Sequence, residues 1–409
     1  MSVFAGLDIG TTQIRVVVSG ITEKNSLDFL GTGIASSTGL RQGVIINLDD
    51  TIAAVSEAIE AAVLESGYEV EDLFVGVSGP RIESVNSKGV VAISSKGKER
   101  KVSDDDIKRV VEAAKAIVIP VDREILHSIV REYKVDDKDK IKQPLNILGV
   151  RLEADTHIIT APVSYSHNII NCVKRSGYEV SAIFLNVFAA GRAVITTEEM
   201  ELGVIHIDIG GGSTGVVAYV DGAPFSTFVL PVGGNNVSYD IFDVFKIPFL
   251  AADKIKITYG TCYPPMVDRD EPILVPSSGG GPAYEVSLKM LSEVAEARMA
   301  EIFEIIRDKL DRQEITKRIG GGVVITGGGA LLNGTAELAS NIFGVPARIG
   351  YPMGISNLPD SVMSPSYATC VGLALLGKDL FLQYGYDAGK DKKSSVFAGF
   401  KQWLRNFFE

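Results

Sequence analysis

Two aspartates near the ends of apolar runs are of the type and setting that handle phosphate. Asp8 lies in VFAGLDI and is followed by GTT at 10–12, while Asp208 lies in GVIHIDI and is followed by GGGST at 210–214. An apolar run of this length delivers its carboxylate at a strand's carboxyl end, and the turn beyond it exposes several backbone N–H groups in one concavity, which suits a phosphate. Two such turns, one per half of the chain, would grip a polyphosphate from both sides. Asp8 and Asp208 would then hold Mg²⁺ mostly through water, because that small ion dehydrates reluctantly. Each turn also reads as a tight β-hairpin with a capping Asp, and the two readings are compatible. A third element, VVITGGGALLNG at 323–334, again runs an apolar strand into consecutive glycines and then toward a helix. Together the three predict an ATP cleft between two related domains.

The elements that must position these turns recur in the same order in both halves. The first half reads strand, hairpin, strand and then a helix from about Asp49 to Leu64, with Ile52, Val55, Ile59 and Val63 on one side and Gly67 after its end. A strand follows at Leu73 to Val77. The second half repeats the scheme from HIDIGGGSTGVVAYVDG through a long helix, about Tyr284 to Leu310, into a strand at Gly322 to Thr326. Each half closes on a small-residue helix, NVFAAGRAVIT at 186–196 and SYATCVGLALLG at 366–377, whose Ala and Gly allow close backbone approach. These two helices read equally as tight packing or as a hinge between domains.

Composition bounds the remaining possibilities. A chain of 409 residues with 46% hydrophobic content can bury more than one core, so two domains with insertions are expected. Cys172, Cys262 and Cys370 are scattered, odd in number and without metal-ligand spacing, which points to packing in a reducing cytoplasm and away from disulfides or structural zinc. His127, His157, His167 and His206 are assigned no chemistry. A net charge of −11 argues against general nucleic-acid binding, and no signal peptide or spanning segment is expected at the amino terminus.

The two Asp-Ile-Gly turns, the TGGGALLNG loop and the paired small-residue helices resemble the actin superfamily, which includes sugar kinases and DnaK-type chaperones. Longer stretches narrow this. DLFVGVSGPRIESVNSKGVV at 72–91, ILHSIVREYKVDD at 125–137, ILGVRLEADTHIITAP at 147–162 and ADKIKITYGTC at 252–262 look like the FtsA family of bacterial actin-like cell-division proteins, over almost the whole chain. The resemblance implies an α/β fold, a duplicated actin-like (ribonuclease H-like) unit around an ATP cleft. It implies subdomain 1A at 1–83 and 162–196, an inserted 1C at 84–161, 2A at 197–228 and 312–386, and 2B at 229–311. Read from its residues alone, the 1C region is self-contained: a hairpin around Gly89, a helix opened by Ser103 and Asp104 to Asp106, and a strand at His157 to Thr160. Acidic residues in a first turn complement the helix dipole.

By the same resemblance, Gly10, Thr11 and Thr12 would wrap the β-phosphate, with Arg15 near the phosphates or, equally, exposed on its strand. Gly210, Gly211, Gly212 and Thr214 would form the second turn. Gly233, Gly234 and Asn235 would pass under the nucleotide, and the adenosine would lie against Gly327, Gly328 and Gly329, with Asp253 and Lys256 as ribose and base neighbours or a solvated helix face. Asn186 stands where kinases and chaperones of the superfamily carry Glu or Gln to orient an attacking water. Asn is a methylene shorter, so at most slow ATP hydrolysis is expected, with the nucleotide acting mainly to favour polymerisation.

The tail changes character. DAGKDKKSS reads as a flexible linker, 387–395, and SSVFAGFKQWLRNFFE as an amphipathic helix, 396–409. Phe397, Phe400, Trp403, Leu404, Phe407 and Phe408 follow spacings of three and four, and Lys401 and Arg405 lie opposite. From Lys390 onward there are five basic residues against two acidic, which suits an anionic bilayer surface at the cytoplasmic face of the inner membrane. A final helix docked on the core is the competing reading. In the resembled family the C-terminal peptide of FtsZ docks on the small subdomain before the TGGG strand, which here nominates Arg298, open also to a plain surface ion pair; further division partners would meet 1C. A small-molecule kinase and a pilus-assembly ATPase of the same fold are the alternatives.

Overall fold

The computed structural model describes residues 2–70, 72–94, 98–277 and 281–384. The linker and amphipathic segment expected at 387–409 lie outside the described residues.

Alternating and continuous apolar runs build two sheets of the same internal order. In the first domain the strands lie as Glu179–Leu185, Asp72–Val77, Val3–Ile9, Gln13–Ile21 and Leu27–Ser36, with a short Ile355–Ser356 at the edge. In the second the corresponding order is Ala347–Ile349, Val323–Thr326, Val204–Ile209, Thr214–Val220 and Ala223–Leu230. In each the first strand is central, antiparallel to its hairpin partner and parallel to its other neighbour. A strand flanked on both edges and covered on both faces must be apolar almost throughout, and every residue of Val3–Ile9 but Val3, and of Val204–Ile209 but Asp208, is buried. The two Asp-Ile-Gly turns are therefore hairpins as well, with Asp8 opposite Arg15 and Asp208 opposite Gly215.

The helix expected from Asp49 runs Leu48–Ser66, capped by Asn47 Oδ1 accepting from Asp50 N at 3.3 Å and ended by Gly67 at φ 70°. Val55 and Ile59 are fully buried under it, as the periodicity requires. The long helix of the second domain begins later than expected. Tyr284–Ser287 is a strand paired with Pro272–Val275, and the helix runs Leu288–Asp311 from the N-cap Ser287.

The inserted segment has its own core, Ile107, Val110, Val111, Tyr133, Leu152 and Ala154 among others. Its helix Asp104–Lys115 starts at a capping box between Ser103 and Asp106, as the acidic first turn predicts. The expected hairpin around Gly89 does not exist. Gly89 sits inside the strand Glu83–Ala92, where a Cβ would come within 2.1 Å of Val110 O, so the glycine admits the helix backbone rather than turning the chain. This strand extends the second domain's sheet: Glu83 pairs with Phe228, Asn86 Nδ2 donates to Phe225 O at 2.9 Å, and Thr227 N donates to Ser84 Oγ at 2.8 Å. Buried His157 bridges the seam, its ring nitrogens 2.6 Å from Asn86 Oδ1 and 2.8 Å from Thr227 Oγ1.

The two small-residue helices, Asn186–Val194 and Ala368–Tyr384, pack directly on one another. At Gly372 a Cβ would lie 1.6 Å from Ala189 O, a backbone atom that cannot step aside. Gly372→Ala should therefore destabilise by about 3 kcal/mol, at the upper end for overpacking. Gly67→Ala, at positive φ but with nothing within 4 Å, should lose about 1–2 kcal/mol from backbone conformation alone. Urea unfolding midpoints check the order, and equal losses would show that the helices separate freely.

Candidate functional site

Both carboxylates arrive on central strands that end at the same cleft. Asp8 is 8% exposed, and Asn186, first residue of its helix, donates Nδ2–H to Asp8 Oδ1 at 2.9 Å. Asn186 Oδ1 is buried with no hydrogen-bond partner, as is Arg15 Nε. Register settles the direction of Arg15: opposite Asp8 on the neighbouring antiparallel strand, it shares that face and lines the cleft, its guanidinium 5.3 Å from the Tyr367 ring centroid and bonded to Gln13 Oε1. The second domain has no equivalent cation, because its matching position is Gly215, packed against Val187.

Asp208 is held by a buried relay. Thr326, beside it on the parallel neighbour strand, donates its hydroxyl to Asp208 Oδ1 at 3.0 Å, and His206 Nε2 lies 3.0 Å from that same hydroxyl oxygen. With the hydroxyl proton directed to the carboxylate, the imidazole must donate through Nε2, and burial holds its pKa down to about 3.

The turns face one another at contact distance. A Cβ on Gly211 would meet Thr12 at 2.8 Å and one on Gly212 would meet Thr11 at 2.9 Å, so no side chain is admitted between the two turns. From behind, Gly234 N and Asn235 N donate to Gly210 O and Gly211 O at 2.9 and 2.8 Å. A Cβ on Gly233 would lie 2.4 Å from Gly210 O. The Gly233–Asn235 backbone thus braces the second turn. The cleft, about 640 Å³ with its mouth, is lined by Asp8, Gly10, Thr11, Thr12, Arg15, Asn186, Asp208, Gly210, Gly211, Gly327 and Gly328 of the expected residues.

Other expected residues fall elsewhere. Thr214 is fully buried with its hydroxyl on Val232 O at 2.8 Å, and Ser213 takes the lining position beside it. Gly329 is packed on Ile209, where a Cβ would come within 2.3 Å of Cγ2. Asp253 and Lys256 pair at 2.7 Å on the helix Phe249–Tyr259, with Lys256 Nζ also on Ser238 Oγ and Gly234 O. They buttress the Gly233–Asn235 segment and do not line the cleft. Gln13, Gly43, Ser78, Ser366 and Thr369 line it without having been expected. Ser78 carried a usable signal, since SGP follows the apolar strand Asp72–Val77 as the other glycine turns follow theirs. Ser366 and Thr369 stand in the small-residue segment at 366–377, which reads from sequence as packing or a hinge and not as part of the site.

Burial pushes Asp8 up to about 6 against the pull of Arg15 and the Asn186 hydrogen bond. Burial and then the Asp8 charge push Asp208 up to about 7, against the Thr326 hydrogen bond and Arg15. A raised acid binds more protons folded than unfolded. The ligand-free protein therefore loses stability as pH rises from about 4 through about 7, and the full penalty is present above that. Asp208→Asn, measured at pH 8 without ligand, should raise the Tm by about 2 °C or more, since one buried charge and its repulsion from Asp8 are gone. A lower Tm would contradict this account.

Comparison with known proteins accords with this arrangement. A family model described as cell division protein FtsA matches residues 205–372, and one for the SHS2 domain inserted in FtsA matches residues 79–160. The cell division protein FtsA of Borreliella burgdorferi is 42% identical over 91% of this chain and 90% of its own, and that of Pseudomonas aeruginosa is 37% identical over 98% and 97%. Among solved structures, the PilM–PilN type IV pilus biogenesis complex aligns with a TM-score of 0.62 at 17% identity, covering 92% of this chain and 98% of that one. MreB5 of Spiroplasma citri bound to ADP aligns with 0.56 at 15%, covering 95% and 99%. These structural likenesses show the actin-like ATPase fold, and the sequence identity over nearly the full length shows the family: the chain belongs to the FtsA family of cell division proteins.

Proposed function

We propose that this protein binds MgATP in the cleft, assembles into filaments when it does so, and tethers filaments of FtsZ to the cytoplasmic face of the bacterial inner membrane through its C-terminal amphipathic helix. The observation that carries this reading is the pair of glycine turns meeting across the cleft with a carboxylate behind each. Backbone N–H groups and Arg15 supply the anion site, and MreB5 of Spiroplasma citri, of the same fold, is solved with ADP and with AMPPNP.

The residues fit a magnesium ion carried in on phosphate. Among the described residues no group of three or more His, Cys, Asp or Glu could hold a metal by itself. A site of two carboxylates and hydroxyls suits an ion that keeps most of its water and takes the rest of its shell from the nucleotide. Bound there, Mg²⁺ would neutralise phosphate charge and relieve the repulsion between Asp8 and Asp208. Asn186 has its amide nitrogen committed to Asp8 and only Oδ1 left to direct a water, so turnover is slow and the nucleotide acts chiefly by closing the domains.

Asp8 and Asp208 are the carboxylates lining the cleft, which leaves no general base for a sugar kinase. The pilus reading has the fold in its favour and nothing more, because the PilM–PilN likeness stands at 17% identity. For the tether, Arg298 on the helix Leu288–Asp311 is held by Asp240 at 2.6 and 2.8 Å, and an acidic FtsZ peptide would compete with Asp240 for it. Further division proteins would meet the inserted domain. Among the described residues no helix is long and apolar enough to cross a membrane, and the anchor is assigned to Phe397, Phe400, Trp403, Leu404, Phe407 and Phe408 with Lys401 and Arg405. Each tail binds reversibly, and a filament presents many at once.

Calorimetry with MgATP should give a binding isotherm for the wild type and none for Asp208→Asn; absence of heat with well-folded wild type would end the reading. Deleting residues 394–409 should abolish flotation with anionic vesicles while MgATP binding stays unchanged, and undiminished flotation would refute the anchor.

A further inference from the structure

The segment joining the strand Leu27–Ser36 to the helix Leu48–Ser66 forms a small hairpin, Leu40–Arg41 against Val44–Ile45. Its two central residues, Gln42 and Gly43, both have left-handed backbone, with φ of 53° and 80°. Glycine adopts this freely. At the first central position of such a turn Asn or Asp is the favoured residue, and a longer side chain is unfavourable there. Local strain of this kind persists where the surroundings over-determine it.

Those surroundings are the cleft. Gly43 N–H donates to Thr11 Oγ1 at 3.0 Å in the first phosphate turn. The backbone nitrogen of Gln42 lies 3.0 Å from the Cβ position of Gly212 in the second turn, and the Cβ position of Gly43 lies 3.2 Å from Ser213 Oγ. The hairpin tip thus touches both turns beside Gly43, Ser78 and Ser213, which line the cleft. From this tip Gln42 Nε2 donates to Pro231 O at 2.9 Å. Gln42 belongs to the first domain. Pro231 belongs to the second, immediately before the Gly233–Asn235 brace and the helix Gly234–Phe245. The bond therefore spans the two domains, and Asn, the better turn former, would fall a methylene short of it.

We propose that Gln42 is a positioning residue through which the cleft distinguishes a nucleoside triphosphate from a diphosphate. The inference rests on the reading that the cleft binds MgATP. A terminal phosphate seated in the cleft against Thr11, Thr12 and Gly211 orders both turns against the hairpin tip, Thr11 carries the tip with it through Gly43 N–H, and the Gln42 amide then clasps Pro231 and holds the second domain in place. A diphosphate leaves the two turns beside the tip without an anchor, and closure gains nothing from the clasp.

The test is calorimetry of MgATP and MgADP binding to the full-length wild type, Gln42→Asn and Gln42→Lys, with thermal unfolding to verify that each is folded. Gln42→Asn keeps the turn and loses the reach; Gln42→Lys keeps both reach and donor. The expected result is about five-fold weaker MgATP binding for Gln42→Asn, the net worth of one hydrogen bond, with MgADP binding unchanged and with Gln42→Lys close to wild type. Equal weakening of both nucleotides, no change in either, or a Gln42→Lys protein that behaves like Gln42→Asn would overturn the clasp. Wild type that binds neither nucleotide would instead overturn the reading of the cleft and is distinguishable from all three.

Discussion

The contact between two glycine turns across the cleft governs the rest of this molecule. Gly211 and Gly212 stand so close to Thr12 and Thr11 that no side chain fits between them, so what meets at the domain boundary is glycine backbone against two threonine side chains. On the proposed reading, backbone N–H groups at the ends of two central strands would make an uncharged anion cradle. Everything behind the turns holds them at that separation. The Gly233–Asn235 segment occupies the carbonyls of the second turn, the hairpin tip occupies Thr11 of the first, and the Asp253–Lys256 pair supports the brace from the far side.

The same arrangement places two carboxylates where water is scarce. Asp8 and Asp208 are pushed up by burial, and Asp208 also by its neighbour's charge. On the proposed reading, a cation and the phosphates it carries would relieve that repulsion on binding. Each carboxylate is nevertheless aimed. Asn186 orients Asp8, and the His206–Thr326 relay orients Asp208. The asymmetry between the halves is equally physical: Arg15 enters the cleft because its register partner is Asp8, whereas the corresponding position beside Asp208 must be glycine to pack on Val187.

Two further junctions tie the halves together away from the cleft. The Asn186–Val194 helix, on which Ala368–Tyr384 packs through Gly372, also lies against the second domain's strands Val204–Ile209 and Thr214–Val220, and the inserted domain is joined to the second domain's sheet along Glu83–Asn86, with His157 buried in the seam. Motion of one domain relative to the other must therefore pass through both contacts.

The sequence by itself determined the duplicated strand and turn pattern, the two aspartates and the glycines that follow them. The physical reason is local: a buried central strand must be continuously apolar, and its end must turn through residues without bulk. The helix start at Ser103 was legible for the same reason, because a cap is settled by its own few residues, and the helix read from about Asp49 begins at Leu48 behind the cap Asn47. Only the tertiary structure decided what depends on distant partners. Gly89 looks like a turn in sequence and is a strand residue cleared for a helix backbone; Tyr284 looks helical and is pulled into a strand by Pro272–Val275. Thr214 sits among site residues in sequence yet points to Val232, while Gly43 reaches the cleft from a segment with no motif and Ser366 and Thr369 from a segment read only for packing or a hinge. Spacing along the chain fixes neighbours within an element, whereas the facing of two turns separated by some two hundred positions is set by how two cores pack, and no local pattern encodes that.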